Sequence, residues 1–586
     1  MNRAARPLVL ALLLTSAARA LEPPTDPNLR AMHDEMQRSM QQLKLANAES
    51  PYFLAYRVED LETYQIGATF GALTSSTHDR RRSADVDLRV GSYQVDNSGF
   101  FGMGLLEGLE GLATPLPLDD DYWEQRRALW LLTDRAYKQA IDMLSQKKAV
   151  LSRGTAPKEA DFSEQPAVTV IEPRAAFKLD VPQEEGLVER LSAVMRNYPA
   201  IQSSRAQFTA RVLHRYFVNS EGTVGLEPHP MAVLTAEASV QCADGMKLTD
   251  SVSFFGARAS DLPGEAQMTA GVDRLARNLT ALANAPKLAS YTGPVLFAPA
   301  AAASTFAHTL VAQLSGERPP LFQDEGMSAM LAGENLGERL GRPVLPAFLS
   351  IKDDPLGTRF QTFPLLGGQR LDAQGVPARP LTLVDGGVLK TLFMSRRPRQ
   401  GIPRSNGHAE ASMLGLGGAG PTNLLILSNS GKKLADLKQE LLARCRAEHL
   451  PFGILVRTMR GPSLAPDPMA VMAMMQGHGH SLPPGLVYRV WVKDGREELV
   501  RGAIIEGLTA NAMKHLLASG TDYGVHHSTV SGAMSFMGMS AATGLEGSTL
   551  TTLVAPAVLF DELELKATPT GTQKPPLLTS PGFGRP

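Results

Sequence analysis

The chain has 586 residues, room for two to four domains at roughly 100–200 residues each. Hydrophobic residues make up 43% and charged residues 20%, a globular composition that can bury a sizeable core. A formal net charge of −1 leaves no global field to recruit nucleic acid or an anionic membrane, so neither is expected as a partner.

At the N-terminus Arg3 and Arg6 precede a short apolar stretch at 7–14 (PLVLALLL), and Ala18, Arg19 and Ala20 form an A-x-A cleavage signal. The pattern predicts a secretory signal peptide over 1–20, cut after Ala20, and hence a periplasmic or secreted protein. The apolar run is far shorter than the about 20 residues of a membrane-spanning helix. No later run is long enough either, so no membrane span is expected. No cysteine follows the apolar stretch to take a lipid. The chain has only two cysteines, Cys242 and Cys445, which excludes a Cys-rich zinc site. They read as two buried thiols, with a single long-range disulfide as the alternative in an exported protein.

Residues 21–28 are a polar, Pro-rich linker, and 28–48 carry helical spacing through Leu29, Met32, Met36, Met40 and Leu43. Apolar and polar residues alternate in places over 52–95, predicting strands of a half-buried antiparallel sheet. The basic run Arg80, Arg81 and Arg82 falls beside these strands and reads as a solvated strand edge. A long amphipathic helix is predicted over 121–149, an exposed loop over 148–173, and a helix over 184–196. Strands return over 201–255, and a helix over 265–285 closes the first half. A short buried strand at 293–299 then leads into an Ala-rich helix over 300–314. Strand-and-turn segments follow at 347–352, 368–383 and 388–394, with Asp385, Gly386 and Gly387 marking a hairpin turn. A helix over 433–446 and strands at 453–457, 486–493 and 552–566 complete the pattern. Strands clustered apart from long helices predict an α+β fold. The organisation is a linker with an N-terminal helix (21–50), an N-terminal domain (51–288), a C-terminal domain (289–566) and a disordered tail (567–586).

A series of segments then stands out. It comprises PYFLAYRVED at 51–60, VDLRVGSY at 86–93, YFVNSEGT at 216–223, YTGPVLF at 291–297 and GVP at 375–377. It continues with LVDGGVL at 383–389, SRR at 395–397, SNGH at 405–408, PTNLL at 421–425, GILVR at 453–457, VRGA at 500–503 and APAVL at 555–559. In order and spacing these resemble the TldD/PmbA proteins, metallopeptidase relatives also called modulators of DNA gyrase. The resemblance implies a two-domain α+β architecture with antiparallel sheets and long helices. It implies a dimer, of two copies or with another family member, enclosing a cavity for a peptide or protein ligand. It also places Ser405, Asn406 and His408 in a loop lining the family's active site.

Active relatives carry H-E-x-x-x-H on the central helix, where two histidines hold zinc and the glutamate is the general base. A later cysteine is the third ligand. Here the matching stretch is His308, Thr309, Leu310, Val311, Ala312 and Gln313. Thr309 cannot act as a base at neutral pH, Gln313 is a poor zinc ligand, and no cysteine follows Cys445. No cofactor is therefore expected, and His308 reads as a packed helix residue. Other candidates have plainer readings. His478 and His480 follow Met469, Met472, Met474 and Met475, and could hold Cu(I); the segment otherwise reads as an apolar lid with methionine as filler. His526 and His527, near Met534, Met537 and Met539, read as an exposed loop pair. Ser430 and Lys433 fit S-x-x-K, but a helix cap is the simpler role for the serine. His408 with Glu410 could form an acid/base pair, or a polar pair at a hairpin end. Two further possibilities stay open: a metallopeptidase rebuilt from these histidines, and a Met/His copper-binding protein.

Overall fold

A computed structural model describes residues 25–101, 114–153, 158–323, 336–413, 416–461, 483–528, 550–568 and 576. The signal peptide, the Met/His segment with His478 and His480, and Met534, Met537 and Met539 lie outside these residues.

The N-terminal domain is a seven-stranded sheet covered by helices. After α1 (Pro27–Gln42) come β1 (Pro51–Thr69) and β2 (Ala72–Val90), a long antiparallel hairpin. α2 (Tyr122–Leu151) and α3 (Val181–Ala193) precede β3 (Ser203–Asn219), β4 (Val224–Gln241) and β5 (Lys247–Gly256), and α4 (Glu265–Asn284) closes the domain. β1 pairs with β2 and β3, β3 with β4, and β4 with β5, all antiparallel. The period of two sorts the side chains. Leu54, Tyr56 and Val58 of β1 and Tyr216 and Val218 of β3 join one core with α1 and α2. Phe208 of β3 and Ala232 and Leu234 of β4 join another with α3 and α4. All four helices therefore lie on one face of the sheet.

The basic run does not behave as a solvated edge throughout. Arg82 is 2% exposed and points among Asp60, Asp120 and the carbonyls of Pro117 and Asp119. Burial opposes ionisation of Asp60, but hydrogen bonds from Arg80 and Arg82 hold its carboxyl below the usual range. The alternation on β2 turns every second side chain inward, so a charge there must be paired.

The C-terminal domain is a mixed sheet of twelve strands. β6 (Tyr291–Phe297) runs into α5 (Pro299–Thr309), whose first residue is a proline with φ preset for a helix start. The sheet also contains β7 (Leu349–Asp353), β8 (Leu381–Asp385), β9 (Asn423–Ser428), β10 (Phe452–Met459), β11 (Pro484–Trp491), β12 (Glu497–Val500), β13 (Leu516–Ser528) and β14 (Thr551–Ala567). Its central order is β8, β7, β9, β14, β6, β10, β11, β12. Val295 and Phe297 of β6 pack with Ala301, Ala302 and Phe306 of α5. Leu296 faces the other way, onto Leu437, Leu441 and Cys445 of α6 (Leu434–Ala447). The two helices thus cover opposite faces. Both cysteines are buried and free.

Three local expectations need correction. The helix predicted over 300–314 stops at Thr309 and resumes only as a 3-10 turn, Ala312–Leu314. Ser430 does not cap α6; its N-cap is Lys433, and no side chain caps it. The stretch 368–383 is mostly turns, with a strand only at Leu381–Asp385, because its carbonyls and amides bond within tight loops.

Candidate functional site

The degenerate stretch sits at the end of α5. Thr309 donates its hydroxyl to the Thr305 carbonyl at 2.8 Å. His308 places Nδ1 2.7 Å from the Ser304 carbonyl, so Nδ1 carries the proton and donates. Such bonds onto carbonyls one turn back loosen a helix and favour its ending there. Contrary to the packed-helix reading, His308 is exposed. Gln313 falls in the 3-10 turn and no longer continues the α5 face.

His526 and His527 are not in a loop. They lie in β13, paired with Leu553 and Thr552 of β14. Neighbouring strand residues point to opposite faces. His526 approaches His308, with ring centroids 5.8 Å apart. His527 turns to Phe255 of β5, centroids 5.0 Å apart, with Nδ1 3.1 Å from the Thr552 hydroxyl. Burial pushes His526 down to about 3, with His308 and His527 adding repulsion. Burial alone takes His527 to about 4.

His408 pairs with Asp353, not with Glu410. Its Nε2 lies 3.0 Å from Asp353 Oδ2, and Nδ1 lies 3.1 Å from the Asn406 carbonyl. Thr422 donates to the same carboxylate through its hydroxyl and its amide. His408 and Asp353 are each 1% exposed, so this is a sealed brace between the end of β7 and the 405–408 loop. Ser405 donates to the Met394 carbonyl, and Asn406 binds Leu392 and Met394 backbone groups. Of the loop residues predicted to line a site, all three spend their polar groups on their own chain.

The face of the N-terminal sheet opposite the helices is mixed: Phe53, Ala55 and Phe217 cluster there with Phe162, and a row of charges runs beside them. Cross-strand register lines up Arg57 with Asp85, Glu59 with Arg215, and Arg215 with Glu227. Arg57 pairs with Asp85, and Arg215 donates to Glu59 at 3.3 Å. Burial raises the Asp85 carboxyl despite Arg57, although 38% of the side chain is exposed. His229 shares this face. Burial, helped by Arg215 and Arg211, pushes it down to about 3, and its Nε2 is buried without a partner. This face meets the C-terminal domain. Arg57 donates to the Ala373 carbonyl, Glu227 accepts from the amides of Arg370 and Leu371, and Phe255 meets His527. His526 and His308 lie on the opposite side of β13 from that last contact. Sequence reading missed this row. Its signal is there: Arg57, Glu59, Arg211 and Arg215 stand at alternate positions of two strands.

Residues 290–563 match the family described as the PmbA/TldA metallopeptidase C-terminal domain. The C-terminal domain belongs to the TldD/PmbA family. The fold agrees with solved TldD/PmbA-like structures. TldE from Thermococcus kodakarensis aligns with TM-score 0.56 at 14% identity, over 92% of this chain and 100% of its own. Proteins described as modulators of DNA gyrase from Thermotoga maritima and Bacteroides thetaiotaomicron align with TM-score 0.55 each. Their identities are 15% and 12%; the matches cover 88% and 93% of this chain, and 96% and 99% of theirs. No curated protein matches the chain significantly. The zinc that the TldD/PmbA resemblance implies does not fit the residues at its position. His308 keeps a free Nε2, but Thr309 and Gln313 supply neither base nor second imidazole. Among the described residues no three His, Cys, Asp or Glu side chains converge for a metal.

Proposed function

We propose that this chain is an exported TldD/PmbA-family protein that binds a peptide or protein on its interdomain face and does not cleave it. It works as a dimer with a second copy or another family member. The observation that carries the reading is the 308–313 stretch. The general base is replaced by a threonine bonded to its own helix, and the second ligand by a glutamine beyond the helix end. The paired charges of Arg57, Asp85, Glu59 and Arg215 suit an extended peptide with its alternating donors, acceptors and side chains. Export keeps the chain away from cytoplasmic peptides and from DNA gyrase. A partner supplying zinc chemistry needs an export signal of its own.

Metal analysis of the purified mature protein tests the reading, with a peptidase assay alongside. The expected outcome is zinc far below one ion per chain and no peptide cleavage by the chain alone. Stoichiometric zinc with cleavage overturns it. The approach of His526 to His308 favours one other reading, a rebuilt histidine metal site, and the same metal analysis decides between them. A copper role for 469–480 is tested by titrating Cu(I) against a variant with its methionines and histidines changed to alanine.

A further inference from the structure

The helical layer of the N-terminal domain holds an open-mouthed cavity of about 270 Å³ between α3 and the start of α4. One side of its wall is apolar, with Leu187, Leu262, Pro263 and Met268, and the rest is polar, with Gln183, Glu184, Arg190 and Glu265. One buried acid lines it. Glu184 is 7% exposed, and among the described residues its carboxylate takes no hydrogen bond and pairs with no cation. The arginine on the rim, Arg190, is committed to Glu265 at 2.7 and 3.0 Å. The next charge along the helix, Asp180, has the same sign and caps the Gln183 amide.

A carboxylate in the first helical turn gains from the helix dipole. Burial nevertheless pushes the Glu184 carboxyl up, and the Asp180 charge adds to the effect. Neither oxygen of Glu184 is among the fully buried unpartnered atoms, so the carboxylate meets the cavity's opening with no cation beside it, and a cation delivered there gains a charged partner at the foot of an apolar wall.

We propose that this cavity binds an alkylammonium group, with the ammonium on Glu184 and its methylene stem on the Leu187, Leu262 and Met268 wall. The volume is below the about 300–1,000 Å³ of pockets for drug-sized ligands, and suits a single four- or five-carbon chain. A lysine side chain of a peptide and a free aliphatic diamine share this chemistry. The cavity lies on the helix-covered side of the sheet, so it stands apart from the interdomain face and from the reading above.

Calorimetric titration of the full mature chain with 1,5-diaminopentane, and with a blocked Gly-Lys-Gly peptide, tests the proposal. The norleucine counterpart of the peptide is the control. At least one amine is expected to bind saturably. Glu184→Gln should weaken it roughly 10- to 100-fold, the range for one charge-assisted hydrogen bond. Glu448→Gln, exposed at the C-terminal end of α6, should leave it unchanged. Binding of the peptide alone assigns a lysine side chain; binding of the diamine alone assigns a free amine. In the wild-type chain, affinity should rise with pH through the titration of Glu184, which holds the proposal testable even if Glu184→Gln folds poorly. No binding of either amine, equal binding by Glu184→Gln, or equal binding of the norleucine peptide overturns it.

Discussion

His229, His526 and His527 share surroundings that strip them of charge. Each has an ordinary value of 6.5 and is driven by burial to about 3 or 4 in the folded chain. Between those values the unfolded chain holds more protons than the folded one. Stability therefore rises with pH through that window and falls as acid drops the pH from about 6.5 toward 4. Thermal melts across pH 4 to 8 should show the loss. His526→Asn, which cannot take up the proton, should flatten the slope while changing little at pH 8. A slope equal to wild type would mean that His526 is not held neutral by the fold. His526 also approaches His308, but among the described residues no third ligand joins them, so residue identity alone misleads. Six histidines looked interchangeable in the sequence. Strand parity turns His526 toward His308 and His527 toward Phe255, while burial seals His408 against Asp353.

At the scale of elements, the strands were legible because alternation reports directly on a sheet with one apolar face. Leu54, Tyr56 and Val58 carry that signal, and so do Phe208 and Ala210. The end of α5 was not legible. Ala-rich composition favours continuing the helix to Leu314, whereas side-chain bonds from His308 and Thr309 onto the preceding turn end it at Thr309. The 405–408 loop was legible as a position but not as a role, because the partner of His408 is Asp353, 55 residues away in the chain. The backbone of this loop depends on Gly407, which has φ +80°, and a Cβ there would lie 2.2 Å from the Pro377 carbonyl oxygen. Gly341 has nearly the same φ, +76°, but open space around it. Gly341→Ala should cost only the left-handed strain, roughly 1–2 kcal/mol. Gly407→Ala should cost clearly more by chemical denaturation, since the clash adds to that strain. Equal costs would mean that the loop can move away from Pro377 and that the brace on His408 is soft.

The molecule as a whole depends on how its two domains are coupled, partly through Leu486, which joins the α3 and α4 core of the N-terminal domain with Tyr488 and Leu499 packed against it. The polar coupling centres on Arg396, which is 0% exposed although it belongs to a C-terminal loop. Its guanidinium enters the N-terminal domain. Nε and Nη2 donate to the Ser163 carbonyl, and Nη2 also donates to Glu221 at 2.6 Å. The cation also lies 3.9 Å from the ring centre of Phe162 and 5.0 Å from that of Phe53, contacts that strengthen when water is excluded. Removing one partner of a buried pair costs about 3–5 kcal/mol, because the other charge stays buried. Arg396→Ala should cost that much, leaving Glu221 with only the Tyr93 hydroxyl. The exposed Arg457, paired with Glu497, is the control, and Arg457→Ala should cost under about 1 kcal/mol. Because the lost energy belongs to the contact between domains, calorimetry of Arg396→Ala should split one transition into two. A single transition at the wild-type temperature would place the coupling elsewhere, at Glu227 with Arg370 and Leu371 or at Arg501 with Asp244.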